Sequence, residues 1–213
     1  MANQKLTANT IGILVLWLFH ISGILGIYYG DQEWFISKSS VTLTISLLIF
    51  FFLFPLNEKK HYLLFFLFAT IGMLAEWLGV HYGLFFGDYA YGENLGPNLD
   101  GVPYLIGAFW ALLTFVTAEI AKLFLAKKWQ VILLAASLMV FLDFLMEKNA
   151  PFFDFWTFEG TVPVNNYISW FVLGVLLQVI LASFKVSGNK PIAINLYSVQ
   201  LVFFAVFYLF GLN

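Results

Sequence analysis

A chain of 213 residues with 62% hydrophobic and 20% aromatic side chains, 10% charge and a mean hydropathy of +0.89 lies outside the range of ordinary soluble domains. The absence of cysteine excludes disulfides, thiolate nucleophiles and thiolate metal sites, and basic charge carried by Lys without Arg disfavours a bidentate clamp on phosphate. A net charge of −2 offers no basic footprint for nucleic acid.

Taken in chain order, the apolar stretches predict an all-α polytopic membrane protein of about seven transmembrane helices, one domain over residues 1–213. The spans are expected near Ala8 to Tyr29, Ser40 to Leu56, Tyr62 to Leu84, Tyr104 to Leu125, Trp129 to Met146, Tyr167 to Phe184 and Ala193 to Gly211. The first has a single Lys ahead of it, runs too long for a signal peptide and shows no small-residue cleavage site, so it reads as a retained span. Lys5, Lys59, Lys60, Lys122, Lys127, Lys128, Lys185 and Lys190 fall on the side of the N-terminus, against Lys38 and Lys148 opposite. That asymmetry predicts a cytoplasmic N-terminus. Acids run the other way: only Glu58 and Glu119 are cytoplasmic, and the remaining acidic residues cluster toward the outer face, which orientation alone does not require.

Most of that acid lies in or beside two long, aromatic-rich loops expected on the outer face, Phe85 to Pro103 and Glu147 to Asn166. Each carries an Asp among aromatics followed by Val-Pro, at Asp88 with Val102-Pro103 and at Asp154 with Val162-Pro163, a hint of a duplicated helix, loop, helix unit. Gly92, Asn94, Gly96, Pro97, Asn98 and Gly101 forbid a continuous helix in the first loop and favour tight turns. Irregular backbone near membrane depth is tolerated only against protein or a wet cavity, so a pocket is expected there.

Several residues in this region are chemical candidates. Glu76 sits inside the third span, where apolar surroundings favour its neutral form, and reads as a general acid or as a hydrogen-bonded structural carboxyl. His81, near the end of the same span, is a candidate base, and Asp88 lies at the aromatic turn of the first loop. Asp143 and Glu147 share one face of the fifth span at i, i+4 spacing. In low dielectric such a pair resists double ionisation, leaving one acid and one base, unless Lys148 neutralises it. Asn166 opens the sixth span as a helix cap or a site residue. Trp77, Tyr89, Tyr91, Trp110, Trp156 and Trp170 crowd the loops, where their π faces suit a positive charge. His20 and His61 read as structural, Glu119 as the partner of Lys122, and scattered His without ligand spacing argue against a metal.

The stretch Glu76-Trp77-Leu78-Gly79-Val80-His81-Tyr82-Gly83, then Phe86-Gly87-Asp88-Tyr89-Ala90-Tyr91, Leu95-Gly96-Pro97 and Gly101-Val102-Pro103, resembles the integral-membrane carotenoid biosynthesis family. Asp143, Trp156, Val162-Pro163, Asn166 and Trp170 extend the likeness over Glu76 to Trp170. Where the family commonly has Asp, three residues and Asp-Pro, this chain has Asp143 followed by Glu147, with Pro151 displaced. The characterised relatives are carotenoid 1,2-hydratases acting on γ-carotene-like or bacterioruberin-type precursors. The resemblance therefore implies a cofactor-independent hydratase that protonates the terminal double bond of a carotenoid ψ end group and lets water capture the tertiary carbocation. Glu76 or the Asp143/Glu147 pair would be the acid, Asp88 or His81 the water-positioning base, and the six aromatics with Asn166 the substrate lining. Implied partners are the carotenoid, membrane lipid and other carotenoid biosynthesis enzymes, in the cytoplasmic membrane of a bacterium or archaeon.

A carotenoid or isoprenoid cyclase or isomerase would use the same cation and differ only in how it is quenched. A non-catalytic carotenoid-binding protein or a transporter is the alternative outside enzymology. A prenyl elongase lacks its Asp-rich motif here, and a retinal protein lacks a Schiff-base Lys in the last span.

Overall fold

The computed structural model describes residues 2–211, with side chains from Ala8 onward. Among these residues the helices are α1 (Ala2–Tyr29), α2 (Gln32–Ser37), α3 (Ser39–Leu53), α4 (Lys59–Tyr82), α5 (Tyr104–Phe124), α6 (Lys128–Glu147), α7 (Val164–Ser183) and α8 (Lys190–Phe210). They supply seven segments long and apolar enough to cross a membrane, the second being α2 and α3 together, Gln32–Leu53. The chain is a mostly helical membrane protein.

Boundaries move from expectation where capping chemistry acts. Asp31 caps α2, a short helix absent from the sequence reading, by accepting from the Trp34 amide at 3.0 Å. α4 stops at Tyr82 rather than Leu84 because Gly83 takes a left-handed conformation, φ 62°. α7 starts at Val164 rather than Tyr167 because Pro163 opens it, and α8 at Lys190 rather than Ala193 because the Asn189 side chain caps it. The last helix thus does begin with a Lys, confined to its first turn and outside its apolar body.

α5 is the axis of the bundle: every residue from Phe109 to Ala121 is buried. It packs against α3, α4, α6, α7 and α8, while α1 pairs with α8 and α6 with α7. Phe50, Phe54, Phe65, Phe68 and Phe115 form an aromatic cluster toward the end of the bundle opposite the loops. There Glu119, 4% exposed, is paired with Lys122 at 2.5 Å, and Lys122 also donates to the Val186 carbonyl at 2.8 Å.

At the other end the two long loops clasp each other. β1 (Tyr89–Tyr91) pairs antiparallel with β4 (Trp156–Phe158), in the register Tyr89 to Phe158 and Tyr91 to Trp156. The Glu93 amide donates to Asp154 Oδ2 at 2.9 Å and the Asn94 amide side chain to the Phe153 carbonyl at 2.9 Å. β2 (Asn98–Leu99) and β3 (Val102–Pro103) form a hairpin across Asp100-Gly101, both at positive φ, 52° and 83°, as a two-residue primed turn requires. The local two-fold of the β1/β4 pair relates Tyr89 to Trp156, one residue out of step with a sequence repeat in which Asp88 corresponds to Asp154. In this alignment Glu76 precedes Tyr89 by the same thirteen residues as Asp143 precedes Trp156.

Candidate active site

Glu76 lies two turns inside α4, 4% exposed, between Gly72 on the preceding turn and Gly79 on the next. These glycines open the helix surface. A Cβ at Gly72 would lie 2.5 Å from Trp110 Cβ, and one at Gly79 would lie 2.8 Å from the Tyr89 hydroxyl. Trp110 from α5 and Tyr89 from β1 therefore reach the carboxyl from opposite sides. Trp110 Nε1 donates to Glu76 Oε1 at 2.8 Å, while the hydroxyls of Tyr89 and Tyr91 donate to Oε2 at 2.5 and 2.7 Å. Burial, reinforced by the neighbouring Glu76, holds both phenols well above their ordinary range, so they remain donors.

A second carboxyl group faces the first. Asp143 and Glu147 project from α6 and are 3% and 6% exposed. Asn166 bridges them, its side-chain nitrogen donating to Asp143 Oδ2 at 3.2 Å and to Glu147 Oε1 at 3.0 Å. Trp156 Nε1 donates to Glu147 Oε2 at 2.8 Å. Asn166 is thus not a helix cap: it occupies the first turn of α7 behind Pro163 and its amide is committed to the carboxyls. Lys148 forms no ion pair with either carboxyl. Its ammonium sits over the Phe144 ring, 5.2 Å from the centroid, and it forms no salt bridge among the described residues.

All three carboxyls line one cavity of about 40 Å³ with Tyr89, Tyr91, Trp110, Trp156, Asn166 and Trp170. Its remaining walls are apolar and include Phe86, Phe109, Met146 and Phe158. The cavity has room for a few water molecules beside the carboxyls. No Lys lines it. Trp110 and Trp170 stack face to face at 3.7 Å, 16° between planes, and form one wall. Phe86, 2% exposed, separates the cavity from an apolar cleft of about 360 Å³ between α4 and α7, lined by Ala75, Phe85, Ile168, Val172 and Leu176.

Three of the sequence candidates are not brought into this cavity. His81 is exposed, with Nδ1 3.0 Å from the Trp77 carbonyl and Nε2 3.1 Å from Asp100 Oδ2. Trp77 stacks on His81 and donates its indole N–H to the same Asp100 oxygen at 2.8 Å, so it braces the β2/β3 hairpin rather than lining the cavity. Asp88 is exposed at the end of α4, its carboxylate against Gly83. A water-positioning role for His81 or Asp88 finds no support in this geometry. Sequence reasoning missed the apolar walls, Phe86, Phe109, Met146 and Phe158 among them, and the two glycines; small residues flanking Glu76 on one helix face were the available signal for the latter.

Comparison with protein-family models matches residues 38–212 to the family described as carotenoid biosynthesis protein. The match reaches well beyond the Glu76 to Trp170 stretch that carried the likeness in sequence. No curated protein and no solved structure matches the chain.

Proposed function

The chain belongs to the carotenoid biosynthesis protein family, a membrane protein with a role in making carotenoids, and from that premise we propose that it adds water across the terminal 1,2 double bond of a carotenoid ψ end group. The observation that carries the reading is the cavity itself: three buried carboxyls without a cation among its lining residues, inside aromatic walls, with space for water. Three such groups cannot all ionise in low dielectric, so the cluster holds at least one transferable proton.

Hydrogen bonding suggests the division of labour. An indole N–H can only donate, so Trp110, with two phenols, equips Glu76 to carry negative charge. Among the described residues Asp143 accepts one hydrogen bond, from Asn166, and so is the better proton carrier. Asp143 would deliver its proton to C2 of the ψ end, forming a C–H bond as the π bond breaks and leaving a tertiary cation at C1. The Trp110 and Trp170 faces and the Glu76 carboxylate stabilise that cation. A cavity water then attacks C1 and passes a proton to the carboxyl cluster, restoring the acid. No electron leaves the system, so the reaction needs no redox partner.

The cavity is too small for an isoprenoid end while Phe86 closes it. We take the α4/α7 cleft as the substrate's approach, with the polyene lying among Phe85, Ile168, Val172 and Leu176 and the ψ end displacing Phe86.

The test is expression in cells that accumulate lycopene or γ-carotene, with mass analysis of extracted pigments beside an Asp143→Asn control. A product heavier by one water, absent in the control, supports the reading. An isomer of unchanged mass would replace it with cyclisation or isomerisation, and unchanged pigment from well-expressed protein would remove both.

A further inference from the structure

α1, α3 and α8, with Phe35 and Phe155, enclose a second cavity, of about 30 Å³, whose polar groups have no role in the site described above. Gln200, on α8 and 1% exposed, lines it, and neither the oxygen nor the nitrogen of its side-chain amide has a partner among the described residues. Buried amides are nearly always satisfied, so this one is set to receive something. His20 on α1, 4% exposed, lines the same cavity. Its Nδ1 lies 2.8 Å from the Leu16 carbonyl and must carry the hydrogen, which leaves Nε2 of the neutral ring as an acceptor.

The cavity continues outward. It shares Phe19, Gly23, Phe35 and Thr42 with an apolar groove of about 460 Å³ that opens between α1 and α3 beside the exposed Leu18, Trp34 and Val41. These helices are membrane-crossing segments, so the groove opens toward lipid. Water alone would satisfy the amide but not fill an apolar groove of this size. A hydroxyl is the group that matches the inner end: its oxygen accepts from Gln200 Nε2 and its proton goes to Gln200 Oε1 or His20 Nε2. A long hydrocarbon body matches the rest.

We propose that α1, α3 and α8 form a second binding site, which takes a long-chain isoprenoid by its hydroxyl end. The occupant is a polyprenyl alcohol of the membrane: its slim CH₂OH end suits an inner cavity of about 30 Å³, whereas the end of a carotenoid hydroxylated at C1, with two methyl groups beside the hydroxyl, is too broad for it. The site is independent of the hydration reading and is tested by binding rather than turnover.

The experiment is equilibrium binding to the purified full chain in detergent, using labelled geranylgeraniol, a 1-hydroxylated acyclic carotenoid and the hydrocarbon phytane as probes. Geranylgeraniol should bind saturably, about tenfold or more tighter than phytane, and Gln200→Leu should erase that preference by removing the amide that holds the hydroxyl. Tighter binding of the 1-hydroxylated carotenoid than of geranylgeraniol would overturn the assignment to a polyprenol. Val41→Trp, at an exposed position on the groove's mouth, should block binding while leaving Gln200 in place, and it decides the matter if Gln200→Leu fails to fold. Equal binding of alcohols and phytane, no saturable binding, or alcohol binding unaffected by both variants would overturn the proposal.

Discussion

Trp110 and Trp170 stack with ring centroids 3.7 Å apart, and each stands seven residues after the proline that opens its helix, Pro103 for α5 and Pro163 for α7. The pair joins the α4-β1-α5 half of the site to the α6-β4-α7 half. Only Trp110 also donates to a carboxyl. Trp110→Phe should therefore keep most of the stack but lose a charge-assisted hydrogen bond to Glu76, about 1.5–3 kcal/mol, or roughly ten- to a hundredfold in turnover. Trp170→Phe should cost less. Rates of pigment conversion in isolated membranes compare the two, and an equal loss would deny the N–H its part.

Glu76 and Asp143 should respond differently to amide substitution. A Gln at 76 brings its own N–H₂ toward the indole and phenol donors, so Glu76→Gln should lower the melting temperature as well as the rate. The cost to stability is about 1–3 kcal/mol. Asp143→Asn keeps its single contact with Asn166 and should melt near the parent while losing roughly 10²–10⁴-fold in turnover, the contribution of a general acid. Thermal melts in detergent beside pigment assays check both, and an active Asp143→Asn would remove that residue as proton donor.

Ile168 is 55% exposed on the wall of the α4/α7 cleft, away from the carboxyls. Ile168→Trp should fill the cleft and raise KM for a full-length carotenoid about tenfold with kcat nearly unchanged, as expected when binding is lost equally in ground and transition states. A fall in kcat without change in KM would argue against the cleft as the approach.

Asp100 ties the β2/β3 hairpin to α4 through Trp77 and His81, and the Trp77 indole N–H, with His81 adding to it, holds its carboxyl below the usual range. A depressed carboxyl stabilises the fold above its unfolded value, near 3.9, and loses that contribution as pH falls through its folded value. Protection from hydrogen exchange across residues 92–101, taken relative to the free amide at each pH, should fall below about pH 4 in the parent. In Asp100→Asn protection should be low at every pH. Identical exchange in the two proteins would show that the hairpin holds without this contact.

The lack of native cysteine allows orientation to be read with single introduced thiols. Glu93→Cys and Lys127→Cys are both at exposed positions, at opposite ends of the bundle. With a cytoplasmic N-terminus, a membrane-impermeant maleimide should label intact cells at position 93 and require permeabilisation at position 127. The reverse pattern would invert the topology.

The sequence by itself determined the seven crossing segments, because an apolar run of that length has no other stable solution in lipid, and it showed that acid and aromatics gather at one end. It also exposed Asp143 and Glu147 as neighbours, since i, i+4 spacing on a helix is local geometry. What it left open was long range. Nothing in the spacing reveals that β1 pairs with β4, or that this pairing draws Tyr91 and Trp156 over carboxyls on two different helices. His81 and Asp88 sit within a dozen residues of Glu76 in sequence, yet the rotation of α4 and the turn at Gly83 point them at the exposed hairpin and the helix end. Asn166 looked like a cap because caps are local, and Pro163 took that place, freeing the amide to bridge Asp143 and Glu147 from another helix. Side-chain chemistry is written residue by residue, but which groups share one dry cavity depends on helix packing, and packing is decided by the whole chain at once.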